Sequence, residues 1–304
     1  MTQKIVAVVG GTGAQGGGVV NALLERGRFG VRVLSRSASS EKARALKEKG
    51  VQVVQADLAD AASLKDAFAG VHGVFLVTNF WDPATGPEEA HRAKIAIDAA
   101  KAAGVDHLVW STLPNVKQLS GGEFEVAHFT GKAMADEHVA EAGFAHHTFV
   151  EAPMYFQNFK GMLGPQPLPD GRRGWAVPMD PDLRVIHAGD VNDVGRVVAR
   201  AFEQPEQAGA GERLAVAPGL TSWAELTSTL NDQGHDLAVI QVPRDVYDGF
   251  FEGASELREM FQWFAAYTYF GPDAEKKLNS TRAIYPEPLT SFAEWARSHM
   301  PVKT

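Results

Sequence analysis

The segment from Lys4 to Val20 reads KIVAVVGGTGAQGGGVV and decides the fold class. Its apolar run, Ile5 to Val9, is rich in β-branched residues and predicts a strand that is buried on both faces. Glycines at positions 10, 11, 13 and 16 follow, and an apolar pattern with helical spacing begins at Val19. Glycine permits a tight turn and the close approach of a phosphate, and the N–H groups of a new helix attract an anion. The segment therefore predicts a dinucleotide-binding site.

Length and charge narrow the class of protein further. With 304 residues, the chain has room for one large or two modest domains. Its net charge of −8 gives no attraction to nucleic acids or anionic membranes, and we expect neither as a partner. No apolar run approaches the ~20 residues of a membrane span. Because the chain lacks cysteine, it has no disulfide or thiol nucleophile, and we expect a cytoplasmic protein.

Strand-like segments alternate with helical patterns along the first half of the chain. Further strands are predicted at 30–36, 51–56, 73–79, 106–111 and 145–150. Units of strand then helix require right-handed crossovers and give a parallel sheet. We therefore predict an α/β fold with a doubly wound parallel Rossmann sheet over residues 1–155. A smaller α/β C-terminal portion is predicted over residues 156–304, interleaved with that sheet.

The residues that end the second strand indicate which dinucleotide binds. A carboxylate at this place is typical of NAD-binding folds, because it binds the ribose hydroxyls. This chain has Ser35 and Arg36 there, and hydroxyl and guanidinium donors favour a 2′-phosphate. We therefore predict NADP(H) in preference to NAD. The alternative is that Arg36 is a solvated loop charge.

Polar residues also follow the third and fourth strands. Ligands of open α/β sheets bind beyond the carboxyl ends of the strands, so we expect Thr78 and Asn79 near the ribose or the nicotinamide. Asp57, which precedes Leu58, is predicted to accept a hydrogen bond from the adenine amino group. The alternative for Asp57 is a cap on the following turn.

Four short motifs together resemble one known family. They are Gly10-Gly11-Thr12-Gly13-x-x-Gly16, Val77-Thr78-Asn79, Ala127-His128-Phe129-x-Gly131-Lys132 and Pro153-x-Tyr155-Phe156-x-Asn158. The chain resembles the NmrA-like family of atypical short-chain dehydrogenase/reductase proteins over nearly its whole length, with the animal NADPH-sensor branch nearest. The resemblance implies cofactor contacts at Lys94, Lys132 and the 155–158 segment. The complete predicted NADP(H) shell is Gly10, Gly11, Thr12, Gly13, Ala14, Gln15, Gly16, Arg36, Asp57, Leu58, Thr78, Asn79, Lys94, Lys132, Tyr155, Phe156 and Asn158.

The chain departs from the wider superfamily at its catalytic motif. Active members use Tyr-x-x-x-Lys, in which the lysine lowers the tyrosine pKa from ~10. On a helix predicted from about 123 to 142, this chain has His128 in place of the tyrosine and keeps Lys132. Three interpretations stay open: both residues are remnants, Lys132 alone transfers the proton, or His128 supplies it. A helix-surface histidine is the simpler interpretation of His128.

The missing tyrosine favours an NADP(H)-binding, redox-sensing regulator that acts through a protein partner. The alternative is an NADPH-dependent reductase of quinones, enones or similar small apolar molecules that uses Lys132. Either a monomer or a homodimer fits the sequence, and no metal site is expected. The aromatic-rich stretch 247–270 is interpreted as the core of a small domain, with a substrate pocket or a partner surface as alternatives.

Overall fold

The central layer of the molecule is built from the apolar runs identified above. The computed structural model describes residues 3–82, 88–161 and 163–302. Its strands are β1 (Ile5–Val9), β2 (Gly30–Ser35), β3 (Gln52–Gln55), β4 (Gly73–Leu76), β5 (His107–Thr112), β6 (His146–Glu151), β7 (Met154–Tyr155), β8 (Gln166–Pro167), β9 (Arg173–Val177), β10 (Ile186–Gly189), β11 (Ala210–Ala215), β12 (Leu220–Thr221) and β13 (Leu237–Gln241).

Seven strands of the described chain form one parallel sheet in the order β3-β2-β1-β4-β5-β6-β11. The order reverses between β1 and β4, and ligands of doubly wound folds bind beyond the carboxyl ends of the strands at such a point. This topology confirms the predicted fold class. Strand β11 follows residue 156 and pairs with β6, so the C-terminal part interleaves with the sheet. The boundary at residue 155 stays a prediction.

Helices cover both faces of this sheet. Alternate residues of β1 enter two apolar clusters, Val6 and Val8 on one face and Ala7 and Val9 on the other. The helices are α1 (Ala14–Arg26), α2 (Glu41–Glu48), α3 (Ala61–Phe68), α4 (Glu89–Ala102), α5 (Val116–Leu119), α6 (Ala127–Ala133), α7 (Asp136–Glu141), α8 (Val191–Glu203), α9 (Pro205–Ala208), α10 (Trp223–Asp232), α11 (Arg244–Asp248), α12 (Ala254–Tyr267), α13 (Ala274–Ile284) and α14 (Phe292–His299). None of the described helices has the length and apolarity to span a membrane.

The single helix predicted from about 123 to 142 is wrong, because the structure divides this segment. Helix α6 starts only at Ala127, after Val126 in an extended conformation. A tight turn separates α6 from α7, and in this turn the N–H of Ala135 donates to the carbonyl of Lys132 at 3.1 Å. Asp136 is the first residue of α7, and its side chain accepts from Thr112 Oγ1 at 2.7 Å. Lys132 therefore lies in the last turn of a short helix beside the sheet.

The C-terminal part forms a second apolar core on two small sheets, β12-β10-β7 and β13-β9-β8. Most rings of the stretch 247–270 belong to this core, in agreement with the predicted packing role. The buried rings are Tyr247, Phe261, Trp263, Phe264, Tyr269 and Phe270. Phe250 and Phe251 are exposed.

Candidate functional site

A cavity of about 950 Å³ lies beyond the carboxyl ends of the central strands. It begins at the glycine turn after β1 and passes the ends of β2, β3, β4 and β5. Of the residues predicted to form the site, those that line it are Gly10, Thr12, Gly13, Ala14, Gln15, Gly16, Arg36, Asp57, Leu58, Thr78, Asn79, His128, Lys132, Tyr155 and Asn158. The structure thus brings together nearly all of them.

Three predicted residues do not line this cavity. Gly11 is buried behind the turn, where an added Cβ would lie 2.7 Å from Val33 Cγ2. Phe156 is buried in the C-terminal core against Phe292 and Trp295. Lys94 is exposed on α4 and borders a second cavity of about 530 Å³. Gly11 therefore allows the turn to pack closely against Val33 of β2. A cofactor contact by Lys94 or Phe156 stays a prediction.

The glycine turn forms a backbone cradle at the start of α1. Gly10 has φ of +69°, and the N–H of Gly13 bonds its carbonyl at 2.8 Å. An added Cβ at Gly16 would lie 2.4 Å from that same carbonyl oxygen. Gly13 precedes the first helical residue without a capping side chain, and the first turn carries no acidic residue. The cradle therefore presents helix N–H groups to the cavity and fits a pyrophosphate.

Cationic and hydroxyl groups collect at the end of β2. Arg36 is 65% exposed along its side chain and pairs with Asp82 at 3.1 Å. Lys42 donates to the carbonyl of Thr12 at 3.3 Å, next to the glycine cradle. The cavity wall here also includes Ser37 and Ser40. This donor set fits the 2′-phosphate that the sequence predicts.

Asp57 is held by neighbours on both sides. Its carboxylate accepts from Arg92 Nη1 at 3.2 Å and from the N–H of Ala59 at 2.9 Å. The helix cap itself is Asp60, which accepts from the N–H groups of Ala62 and Ser63. Asp57 therefore shapes the turn and also lines the cavity. The sequence gives no signal for Arg92, which reaches this wall from α4.

A buried ion pair lies at the end of β4. Lys132 Nζ donates to Glu89 Oε1 at 2.6 Å and to the carbonyl of Thr78 at 2.8 Å. Thr78 Oγ1 donates to the same carboxylate oxygen at 2.6 Å. Burial lowers the pKa of Lys132, and the Glu89 carboxylate opposes that shift. Sequence analysis missed Glu89, because an acidic residue in the first turn of a helix is usually a surface feature.

The glycine of the His-Phe-x-Gly-Lys motif has a steric role. Glu89 Oε2 is buried and has no hydrogen-bond partner among the described residues. A Cβ added to Gly131 would lie 3.3 Å from this oxygen. Gly131 therefore leaves space for the Glu89 carboxylate beside Lys132.

Tyr155 closes a short polar chain across the middle of the cavity. Its hydroxyl donates to Gln15 Oε1 at 3.1 Å, and Gln15 Nε2 donates to Ser111 Oγ at 2.7 Å. Burial raises the pKa of Tyr155. The phenol is thus neutral and oriented by α1, so it is a hydrogen-bonding group and a poor proton donor.

His128 faces the far end of the cavity. Its Nδ1 lies 2.7 Å from Glu256 Oε1, and its backbone N–H donates to the same oxygen at 3.1 Å. Glu256 belongs to α12, 128 residues further along the chain. Beyond this pair the cavity wall is mainly apolar, and its members are Leu113, Phe129, Met154, Leu163, Leu257, Met260 and Tyr269. The site therefore has a polar cradle at one end and an apolar chamber at the other.

Relatives share about a third of their residues with this chain over the aligned part. The NmrA-like family domain-containing oxidoreductase FrzB of Cladobotryum sp is 32% identical over 67% of this chain and 66% of its own length. An NmrA-like family domain-containing protein of Dictyostelium discoideum is 33% identical over 66% of this chain and 68% of its own length. This chain spans about two thirds of the length of these relatives.

Solved structures share the complete fold. NmrA, a negative transcriptional regulator solved with NADP, superposes with a TM-score of 0.82 over 98% of this chain and 96% of its own, at 23% identity. The NADPH-dependent quinone oxidoreductase QOR2 of Escherichia coli, complexed with NADPH, gives a TM-score of 0.74 over 97% and 99%, at 21% identity. At these identities the likeness establishes the fold.

The family follows from a match that spans almost every residue. The four motifs described above lie on one continuous cavity, with a backbone cradle, a cationic end and a lysine at the positions that the motifs specify. The model of the NmrA-like family matches residues 2–296. This chain is a member of the NmrA-like family.

Proposed function

We propose that this protein is an NADPH-dependent reductase of a small, largely apolar electrophile such as a quinone or an enone. The observation that carries the proposal is the continuity of the cavity, which runs from the glycine cradle past Lys132 into the apolar chamber. A protein that only binds a dinucleotide has no need for that chamber. Names of relatives support the proposal, since FrzB is called an oxidoreductase and QOR2 a quinone oxidoreductase. The sequence alone favours a redox sensor, whereas the apolar chamber favours a reductase.

The chain's own residues account for binding of NADP(H). The N–H groups at the start of α1 would hold the pyrophosphate, and Arg36 with Lys42 would hold the 2′-phosphate. When bound, NADPH supplies a hydride. Lys132 would exchange its contact with Thr78 Oγ1 for the nicotinamide ribose while it stays beside Glu89, as the family resemblance implies. The apolar walls would orient a flat substrate and exclude water from it.

Consumption of NADPH by the purified protein tests this function. The panel would contain quinones, enones, aldehydes and imines, with nicotinamide absorbance as the readout. We expect turnover with at least one class and a faster rate with NADPH than with NADH. Lys132→Ala would lower kcat/KM by about tenfold or more, because it removes a charge-assisted contact. Lys65→Ala, an exposed lysine on α3, is the matched control and keeps the wild-type rate. Absence of turnover across the panel would contradict the proposal.

The redox-sensing regulator is the second candidate, and one ion pair favours it. Arg36 is paired with Asp82, and the neighbouring Trp81 is half exposed. A 2′-phosphate competes for Arg36, so NADP(H) would disturb a segment that carries an exposed aromatic ring. NADPH binding without turnover in the assay above, with partner capture that depends on the cofactor, is the result that supports this candidate.

A further inference from the structure

His128 is oriented by two hydrogen bonds to a single carboxylate. Both its backbone N–H and its ring Nδ1 lie within 3.1 Å of Glu256 Oε1. An ionised carboxylate only accepts hydrogen bonds, so Nδ1 carries the proton that points at Glu256. Although burial raises the pKa of Glu256, the hydrogen bonds from His128 more than offset this, and the pKa is lowered overall. The carboxylate is therefore ionised, and the ring is held in one orientation.

The second ring nitrogen is the one that a molecule in the cavity meets. No group in the described part of the chain bonds Nε2 of His128, and this atom is not among the fully enclosed polar atoms. The residue is 8% exposed and lines the cavity. Three rings surround it, Trp81 at 5.1 Å, Phe80 at 5.9 Å and Phe129 at 4.9 Å between centroids. Among the described residues, Glu256 is the charged group that pairs with the ring.

The other candidate proton donors are less available. Lys132 has three donor positions, and its acceptors are the carbonyl of Thr78, Thr78 Oγ1 and Glu89 Oε1. The hydroxyl of Tyr155 is donated to Gln15. Among the described residues, by contrast, no acceptor bonds the second donor position of His128, which lies on the cavity wall.

We infer that His128 donates the proton to the substrate through Nε2, and that Glu256 is the positioning residue that holds its ring. This inference rests on the proposed reductase function. In the step, the substrate carbon accepts the hydride, the π-electron pair of the conjugated carbonyl moves onto its oxygen, and that oxygen takes the proton from Nε2. The substrate gains two electrons at the expense of the dihydronicotinamide. The neutral imidazole then regains its proton from water.

The position of the pair adds a structural consequence. His128 belongs to α6, next to the sheet, and Glu256 belongs to the first turn of α12, in the C-terminal core. The proton donor is therefore assembled only when the two parts of the chain are packed together. Leu257 follows Glu256 on α12 and lines the apolar chamber, so one helix orients the donor and contacts the substrate.

Steady-state kinetics of His128→Gln and Glu256→Gln test the inference. General acid catalysis contributes on the order of 100-fold, so we expect at least that loss of kcat in His128→Gln. Glu256→Gln would lower kcat by about tenfold or more, as loss of an orienting carboxylate does elsewhere.

Two further readouts separate catalysis from structure. NADPH affinity, measured by fluorescence, should change by less than about twofold in both variants, which also shows that they fold. Nitrogen-15 spectra of the histidines at alkaline pH should show protonated Nδ1 and bare Nε2 for His128, and Glu256→Gln should lose this preference. Glu259→Gln, on the same helix and paired with Arg258, is the control and keeps the wild-type kcat.

The outcomes distinguish this inference from the proposed function. Wild-type turnover that His128→Gln retains would overturn the role of His128 and leave the reductase standing. A wild-type kcat in Glu256→Gln, or a protonated Nε2 in the neutral wild type, would overturn the positioning role. If the wild type reduced no electrophile, both the reductase function and the role of His128 would be overturned. This outcome is distinct from the others because it is observed with the wild type alone.

Discussion

A single methyl group added at Gly16 should weaken cofactor binding while the protein still folds. Its added Cβ would meet Gly10 O at 2.4 Å and the Gly11 nitrogen at 2.8 Å, so Gly16→Ala must open the cradle. We expect NADPH affinity to fall by at least about tenfold, or 1.4 kcal/mol. Fluorescence titration with NADPH measures it.

Gly17→Ala is the matched control, because its nearest contact is Gly11 O at 3.6 Å, an ordinary separation. We expect this variant to bind NADPH like the wild type. Equal affinities of the two variants would show that the turn tolerates opening, and the cradle would not be the phosphate site.

Residues of the site differ in how well the sequence foretells them. The cradle is predictable because glycines between a buried strand and a helix have a local steric meaning. Glu89 and Glu256 have no such signal, since each acquires its role from a partner far along the chain. Lys132 lies 43 residues from Glu89, and His128 lies 128 residues from Glu256. A carboxylate early in a helix looks the same whether it faces water or a buried cation.

At the scale of elements, α1 and α8 pack with their backbones in contact. An added Cβ at Gly195 would lie 2.3 Å from the carbonyl carbon and oxygen of Gly18. We expect Gly195→Ala to lower the free energy of unfolding by about 1–3 kcal/mol, because overpacking pushes the helices apart. Urea denaturation measures the loss. Gly219→Ala, with no atom within 4 Å of its added Cβ, serves for comparison and should match the wild type. A Gly195→Ala variant as stable as Gly219→Ala would contradict this packing.

The strands of the main sheet are predictable and one helix is not, for a physical reason. Buried runs such as Ile5 to Val9 carry their own signal, because only a strand covered on both faces tolerates them. The segment 123–142 carries a continuous helical pattern, yet its course depends on Asp136. That side chain bonds Trp110 and Thr112 of β5 and Arg213 of β11, and these contacts come from distant strands.

Across the whole molecule, buried charges join the sheet to the C-terminal core. Glu151 at the end of β6 is fully buried and pairs with Lys277 of α13 at 3.1 Å. Lys277 also donates to the carbonyl of Phe270, in the aromatic stretch. Glu151 also pairs with Arg213 at 3.3 Å, so removal of Glu151 is the change that would leave the buried Lys277 without a carboxylate, which is strongly destabilising. Buried ion pairs thus connect the two parts of the chain that also interleave in the sheet. The cavity lies between these two parts.

Stability of the whole molecule should depend on pH through buried histidines. Burial lowers the pKa of His107 to about 3 and that of His187 to about 4. The unfolded chain protonates these rings below pH ~6.5, while the folded chain does not, so stability is present above that pH and is lost as pH falls. For His107 alone the loss at pH 5 is about 2 kcal/mol.

Urea denaturation of His107→Gln at pH 7.5 and pH ~5 isolates the contribution of His107 to the pH dependence of stability. Glutamine keeps a polar group opposite Thr148, which His107 bonds through Nε2 at 2.8 Å, but it cannot titrate. We expect the variant to be less stable than the wild type at neutral pH and to lose less stability on acidification. His91→Gln, at an exposed position on α4, should lose as much as the wild type. If His107→Gln and the wild type lost the same stability between these two pH values, His107 would have to be protonated inside the fold. The description of His107 as a neutral buried ring would then be wrong.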